Sequence, residues 1–248
     1  TQAVPTGTFL AGQGHAPALP RPQATEIVGM GSSLRQAAHR GLRILISSGP
    51  TREPIDAVRF LSNYSTGFMG SCLAQEALRR GHRVTVVSGP TDRAPLPRAT
   101  TIQVERAAQM QRALRHELPR ADVLIMAAAV CDFRPVRISA AKLARRGRVA
   151  LQLQATPDIV AHLPRRRGQL VVGFALEAER VRDRAARKLN SKRLDLIVGQ
   201  HLNGSGAPFG RQQVEAMIAH PSGQVRELGR ISKPALARAL LDEIEQLW

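Results

Sequence analysis

The sequence predicts an α/β fold built on a doubly wound, mostly parallel sheet. Near-continuous apolar runs, typical of strands buried on both faces, occur at 42–47, 83–88, 122–130, 170–174 and 195–198, with a shorter candidate strand at 101–104. Segments with helical spacing of apolar residues lie between these runs at 69–80, 110–118 and 177–193. This alternation predicts a parallel sheet covered by helices on both faces and joined by right-handed crossovers.

The last part of the chain has a different pattern. Two runs, 213–218 and 224–228, flank His-Pro-Ser-Gly and predict a β-hairpin. Ser232 is a suitable N-cap for a final helix, in which Pro234 falls at the second helical position. Residues 1–41 begin with a stretch rich in Pro, Gly, Ala and Thr, which predicts a flexible tail or linker. We therefore expect a Rossmann-like domain at 42–248 that ends with a C-terminal β-hairpin.

The composition is strongly basic. Lys and Arg number 36 against 19 Asp and Glu, which gives a formal net charge of +17. A solvated, arginine-rich surface explains this charge, and an anionic substrate would benefit from it. Nucleic acid is a less favoured partner, because aromatic residues, which stack on single strands, make up only 3% of the chain. The four lysines are Lys142, Lys188, Lys192 and Lys233.

Other global features bound the class of protein. No apolar run reaches the length of a membrane span. Cys72 and Cys131 lie far apart in no metal-binding spacing, so we expect a reducing, cytoplasmic setting. Lys188 and Lys192 are four residues apart and therefore share one helix face, which suits either a polyphosphate ligand or a solvated basic surface.

Two predicted strand ends carry residues suited to a ligand site, because ligands of open α/β sheets bind beyond the carboxyl ends of the strands. Gly67 and Gly70, at the start of the first helix, either let backbone N–H groups approach an anion or allow close helix–strand packing. The alanines at 127–129 leave room for a ring or a sugar, and Asp132 offers an acceptor for a ribose or a metal ion. The same residues also suit close packing and a turn.

A series of short motifs then identifies a family. In order, they are Ser-Gly-Pro-Thr-Arg-Glu-Pro-Ile-Asp at 48–56, Arg-Phe-Leu-Ser-Asn at 59–63 followed by Ser65, Gly67, Met69 and Gly70, Val-Ser-Gly-Pro-Thr at 87–91, Ala-Ala-Val-Cys-Asp-Phe-Arg-Pro at 128–135, Thr-Pro-Asp-Ile-Val at 156–160, Val-Gly-Phe-Ala at 172–175, and Lys188 and Lys192 before Asp-Leu-Ile-Val at 195–198. From about residue 42 to the C-terminus the chain resembles phosphopantothenoylcysteine synthetase. In bacteria this enzyme is usually the C-terminal half of a bifunctional protein whose N-terminal half is a flavin-dependent decarboxylase.

The resemblance implies a ligase of coenzyme A biosynthesis that joins 4′-phosphopantothenate to L-cysteine. A nucleotide, CTP in the usual bacterial form, would activate the phosphopantothenate carboxylate as an acyl-nucleotide with release of pyrophosphate. The cysteine amine would then displace CMP. Mg²⁺ is expected with the triphosphate. The resemblance also implies a homodimer, with the 212–228 hairpin as a candidate contact.

The resemblance assigns roles to individual residues. Asn63 and Lys142 match catalytic positions, and Asn63 is expected to handle the acyl-cytidylate by donating to the acyl oxygen as charge develops. Lys142 lies on a flap expected to close over phosphopantothenate, where it would bind this substrate together with Arg145 and Asn63. No metal ligand is assigned. The positions that match nucleotide-binding residues are Ser65, Gly67, Met126, Ala127, Ala128, Asp132, Pro157, Asp158, Ile159, Val160, Phe174, Lys188 and Lys192.

The chain departs from the family pattern at several positions. Phe68 replaces a typical lysine, Ala144 and Arg145 replace lysines of the flap, Cys131 replaces an alanine, and Gly-Gln at 199–200 replaces Ala-Asn. Phe68 and Ala144 leave open the alternative of a nucleotide-binding relative that has lost ligase activity. A basic nucleic-acid-binding protein is a second alternative. An NAD-dependent reductase is a third, disfavoured because the ordered G-x-G-x-x-G pattern is missing.

Overall fold

Strands and helices alternate along residues 41–145, 147–202 and 213–248, which are the residues that the computed structural model describes. The strands in chain order are β1 (Arg43–Ser48), β2 (Arg52–Pro54), β3 (Phe60–Ser62), β4 (Arg83–Ser88), β5 (Thr100–Gln103), β6 (Val123–Met126), β7 (Phe133–Pro135), β8 (Leu153–Ala155), β9 (Leu170–Glu177), β10 (Leu196–His201), β11 (Gln213–Ala219) and β12 (Val225–Ser232). The α-helices are α1 (Phe68–Arg79), α2 (Ala107–Glu117), α3 (Val181–Ser191) and α4 (Lys233–Leu247), and short 3₁₀ turns lie at Leu118–Arg120 and Val160–His162. Except for Gly41, the tail predicted over residues 1–41 lies outside the described residues.

The main sheet confirms the predicted fold class. Within the described residues it has eight strands in the order β12-β11-β10-β9-β6-β1-β4-β5. The six neighbouring strands β10, β9, β6, β1, β4 and β5 pair in parallel. Strands β11 and β12 form an antiparallel hairpin at one edge, and β11 also pairs with β10 in antiparallel orientation. The chain runs outward from β1 to β4 and β5, then returns to β6 on the other side of β1. A crevice beyond the carboxyl ends of β1 and β6 is therefore expected at this switch point.

Two apolar layers hold the helices on opposite faces of the sheet. Helices α1 and α4 cover one face, on which Ile44 and Ile46 of β1 are buried. Helices α2 and α3 cover the other face, on which Leu45 lies. Because successive strand residues point to opposite faces, one apolar strand supplies both layers. None of the described helices has the length and apolar character that a membrane span requires.

Three features of the chain differ from the sequence expectation. The strand predicted over 122–130 ends at Met126, because the next segment bonds to the loop after β1: the Ala129 N–H donates to the Gly49 carbonyl at 2.9 Å. The helix predicted over 177–193 is Val181–Ser191, because β9 continues its pairing with β10 as far as Glu177. The small antiparallel pairs β2–β3 and β7–β8 were not predicted, since three-residue strands give no periodic signal.

Candidate active site

The loops after β1 and β6 are bonded together and form the floor of the crevice at the switch point. The Thr51 N–H donates to the Ala129 carbonyl at 3.3 Å, and the Thr51 hydroxyl accepts from the Cys131 N–H at 2.9 Å. Asn63 Nδ2 donates to the carbonyl oxygens of Ala129 and Val130, at 3.0 and 3.1 Å. We call residues 127–130 the floor segment. Its position is fixed by bonds to residues far away in sequence.

These contacts bear on the role expected of Asn63. An amide Nδ2 has two protons, and both are directed at floor-segment carbonyls. The oxyanion-type role needs an N–H aimed at an acyl group, so in this conformation Asn63 acts as a positioning residue. Three cavities lie around this floor and are called the first, second and third cavity below. The Asn63 side chain lines the third, of about 600 Å³, together with Arg52 and Arg93.

The first cavity, about 410 Å³, lies beyond the end of β6 and beside Gly173 and Phe174 in the middle of β9. Ala128 and Phe174 form its sheet side, and the loop before the 3₁₀ turn at 160–162 lies across from them. Side chains of α3 and its C-cap complete the wall. The predicted nucleotide-binding residues that line it are Met126, Ala128, Asp132, Pro157, Asp158, Ile159, Val160, Phe174, Lys188 and Lys192.

The second cavity, about 270 Å³, lies at the N-terminus of α1. It holds the remaining predicted nucleotide-binding residues, Ser65, Gly67 and Ala127. It also shares Asp132 and Lys188 with the first cavity, so the two are adjacent. The third cavity adjoins it through Ser65 and Thr66. All three cavities therefore lie around the switch point.

The structure distinguishes the two roles considered for Gly67 and Gly70 at the start of α1, which are anion binding and close packing against a strand. A Cβ on Gly70 would lie 2.2 Å from Ser48 Oγ and 2.5 Å from Ser48 Cβ, so Gly70 is required by helix–strand packing. Gly67 is the N-cap, with a left-handed φ of 71° that suits glycine, and no side chain caps this helix end. The first N–H groups of a helix have no intrahelical acceptor, and the helix dipole favours an anion there. Gly67 therefore fits the anion-binding alternative.

Two lysines line the first cavity and supply positive charge to it, which is one of the two alternatives that their spacing left open. Lys188 Nζ donates to the Phe174 carbonyl at 2.6 Å. Burial lowers the pKa of Lys188, and the nearby Lys192 lowers it further, while surrounding carboxylates oppose both effects. Lys192 Nζ lies 3.1 Å from an Asp158 carboxylate oxygen. Burial raises the pKa of Asp158, but the bonds to Lys192 and to the Ala161 N–H outweigh it and hold that pKa below its usual value.

The flap, which is the segment around Lys142, is held at the backbone of Leu143. The Asp56 carboxylate accepts from the Leu143 N–H at 3.1 Å, and Arg59 Nη2 donates to the Leu143 carbonyl at 2.7 Å. The side-chain bond from Arg59 lowers the pKa of Asp56 despite its burial, so this carboxylate stays charged. Lys142 and Arg145 are exposed beside this anchor and line none of the three cavities. The structure therefore does not bring these two predicted substrate-binding residues together with the rest of the site.

Several side chains near the crevice were not assigned a role from sequence. Gln200 and Lys233 line the second cavity, and Asp56 and Arg59 clamp the flap. Their sequence signals were faint: Asp56 and Arg59 belong to motifs, whereas Gln200 stood out only as a departure from the family pattern. Cys131 is a buried free cysteine whose thiol bonds to the Thr51 carbonyl at 3.3 Å, which indicates a structural role.

The described residues offer no ready-made metal centre. No group of three or more His, Cys, Asp or Glu within them could hold a metal ion. Of the two carboxylates that the described residues supply to the first and second cavities, Asp158 is paired with Lys192, whereas Asp132 lines both cavities and could join a metal ion that arrives bound to phosphate groups.

Comparison with known proteins connects this geometry to a family. Residues 39–247 match the DNA/pantothenate metabolism flavoprotein C-terminal domain. The chain is 39% identical over 210 residues to the coenzyme A biosynthesis bifunctional protein CoaBC of Bacillus subtilis (strain 168), a match that covers 84% of this chain and 52% of that protein. It is also 39% identical over 208 residues to a cysteine/cysteine sulfinic acid decarboxylase from an unknown prokaryotic organism, covering 82% of this chain and 58% of that protein.

Solved structures agree with the sequence matches. The crystal structure of the C-terminal domain of a CoaBC protein has a TM-score of 0.71 at 36% identity and covers 84% of this chain and 95% of that one. A Cab2 mutant in complex with phosphopantothenate-cysteine has a TM-score of 0.66 at 16% identity, covering 92% and 96% of the two chains, which is a likeness of fold alone. This chain spans 52% and 58% of the two curated relatives compared above. The match over residues 39–247 confirms the motif resemblance and shows that the chain belongs to the DNA/pantothenate metabolism flavoprotein C-terminal domain family.

Proposed function

We propose that this chain is a phosphopantothenate–cysteine ligase of coenzyme A biosynthesis. In the proposed reaction, CTP activates 4′-phosphopantothenate as an acyl-nucleotide with release of pyrophosphate, and L-cysteine then displaces CMP. The observation that carries the proposal is that the first and second cavities lie side by side and share Asp132, Phe174 and Lys188 in their linings. Family membership and the 39% identity to a CoaBC protein support the choice of reaction.

The first cavity suits the nucleoside. Ala128 leaves space beside Phe174 for a flat ring, and Asp132 at the rim offers an acceptor to a ribose hydroxyl. The triphosphate would then extend past Lys188 towards the N-terminus of α1 in the second cavity. An ammonium group and helix N–H groups both favour phosphate, and each offsets the charge that grows as the pyrophosphate departs. Mg²⁺ would enter with the triphosphate, with Asp132 as its protein ligand.

The third cavity suits the acid that is activated. Arg52 and Arg93 supply positive charge for an anionic substrate, and the wall at Ser65 and Thr66 is shared with the second cavity. A carboxylate bound there would reach the α-phosphate across this shared wall. Its oxygen would attack phosphorus, forming the acyl-phosphate bond while the bond to the β-phosphate breaks. The cysteine amine would then attack the acyl carbon and CMP would leave.

We also propose that the protein is a homodimer in a reducing, cytoplasmic setting. Most of the exposed large apolar side chains of the described residues lie on or beside the β2–β3 and β7–β8 pairs, where Phe60 is 46%, Phe133 55% and Leu153 45% exposed. These two pairs are therefore a better supported contact than the 212–228 hairpin. The buried free cysteines fit the reducing setting.

A coupled turnover assay tests the ligase. Each of the four nucleoside triphosphates is supplied with phosphopantothenate and cysteine, and pyrophosphate release and amide formation are both measured. We expect pyrophosphate release that requires phosphopantothenate and is fastest with CTP. Binding of nucleotide without turnover in any combination would instead identify a relative that has lost ligation.

A further inference from the structure

We propose that Gln200 and Lys233 bind the terminal phosphates of the nucleotide, the part released as pyrophosphate, at the N-terminus of α1. This inference rests on the proposed use of a nucleoside triphosphate. It assigns the second cavity to the leaving group and names two binding residues that lie on β10 and α4, far in sequence from α1.

Gln200 provides the first observation. The residue is only 9% exposed and pairs within the sheet with Leu176 of β9 and Ala216 of β11. Its side chain lines the second cavity, and its Nε2 has no hydrogen-bond partner among the described residues. A buried N–H group is costly to leave without an acceptor, so an acceptor supplied by a ligand would satisfy it.

Lys233 provides the second, independent observation. It is the first residue of α4, is 6% exposed and also lines the second cavity. Its Nζ lies 6.0 Å from the ring centroid of Phe68, a side chain of the first turn of α1, and Lys233 lines the same cavity as the N-cap residue Gly67. Burial lowers the pKa of Lys233, which an anionic ligand beside it would counteract.

The lining of the second cavity as a whole favours a phosphate ligand. It combines the uncapped N-terminus of α1 with the amide of Gln200 and the ammonium groups of Lys188 and Lys233. Among the described residues of this lining Asp132 is the one carboxylate, and it is shared with the first cavity. A ligand with several charged oxygens matches the positive charge of this lining. Because the nucleoside is assigned to the first cavity, the phosphates farthest from it reach the second.

The test compares three ligands on the full chain by isothermal titration: CTP, CMP and inorganic pyrophosphate. We expect Lys233→Met to weaken CTP and pyrophosphate binding about 10- to 100-fold, and Gln200→Met about three- to tenfold, since hydrogen bonds to charged groups are the stronger kind. CMP, which lacks the terminal phosphates, should bind all variants alike. Arg238→Met is the matched control, because it removes one charge from an exposed position on the same helix.

The outcomes separate this inference from the proposed function. Folded Lys233→Met and Gln200→Met variants that bind CTP and pyrophosphate like the wild type would overturn it, as would an equal loss of CMP binding. If the Lys233→Met variant melts at a much lower temperature than the wild type, the same titrations are carried out on Lys233→Gln, and its CTP and pyrophosphate affinities decide the question. A wild type that binds pyrophosphate through Lys233 but never turns over CTP would refute the ligase and leave the anion site standing.

Discussion

Replacing Lys188 by methionine removes one ammonium from the candidate site while keeping most of the side-chain volume. Lys188 Nζ gives one proton to the Phe174 carbonyl at 2.6 Å, which leaves two for a ligand. Two unit charges 4 Å apart attract by about 4 kcal/mol at an effective dielectric constant near 20, but part of this is offset by desolvation. A hydrogen bond to a charged group contributes about 1.5–3 kcal/mol net. We therefore expect Lys188→Met to weaken CTP binding about 10- to 150-fold.

The same lysine predicts a pH dependence with a definite sign. Burial first, and the charge of Lys192 second, place the pKa of Lys188 below the ordinary lysine value of 10.5. Only the protonated amine binds phosphate strongly. CTP affinity of the wild type should therefore fall as the pH rises through this lowered pKa, and the Lys188→Met variant should lack that loss.

Isothermal titration with CTP between pH 7 and about pH 10 measures both effects. Arg187→Met is the control, because Arg187 is an exposed neighbour on α3 that lines neither the first nor the second cavity. It should leave CTP affinity within about twofold of the wild type. If Lys188→Met bound CTP within about threefold of the wild type at pH 7, the ammonium would not contact the phosphates and the reasoning would fail.

Three further predictions concern residues around the site. The hydrogen bond from Arg79, and to a smaller extent that from Arg80, holds the pKa of Glu76 at about 2 despite burial. The stabilisation from the charged carboxylate is therefore complete above the unfolded-state pKa near 4.5 and is lost as the pH falls towards 2. Glu76→Gln should lower the free energy of unfolding at pH 7 by about 2 kcal/mol, a value reduced from the full pKa shift because Arg79 is exposed and solvent screens its charge. Urea denaturation of the two proteins should show this difference vanishing near pH 2. Gly70→Ala should destabilise the fold by about 1–3 kcal/mol in thermal denaturation through its clash with Ser48, and Ser48→Gly in the same chain should recover part of the loss. Asn63→Asp should keep the fold but lower steady-state turnover, and normal steady-state rates would remove Asn63 from the mechanism.

The fold could be predicted from sequence because strands buried on both faces are apolar throughout. The end of β6 could not. Residues 127–130 read Ala-Ala-Ala-Val and are as apolar as the strand before them, so no local signal marks the boundary. Hydrogen bonds with Gly49, Thr51 and Asn63 set that boundary, and all three residues are more than 60 positions away.

The site was predictable to the extent that it lies at strand ends. Motif residues after different parallel strands meet at one edge of the sheet, which is why Asp132, Phe174 and Lys188 share a lining. Lys142 was placed by resemblance alone, and its exposed position beside the flap anchor depends on Asp56 and Arg59. The position of Lys233 beside α1 depends on how α4 packs across the sheet, which no local pattern encodes.

The early end of β6 has a consequence for the mechanism. Because the floor segment leaves the sheet, its residues line each of the first two cavities, with Ala128 and Val130 in both. Asn63 holds this segment through the carbonyls of Ala129 and Val130, so a carboxylate at position 63 would face two carbonyl oxygens with no proton to share. A positioning role therefore predicts that Asn63→Asp weakens CTP binding even when phosphopantothenate is absent. A purely oxyanion-type role predicts unchanged CTP binding and a defect confined to acyl transfer, and a nucleotide titration without the acid separates the two.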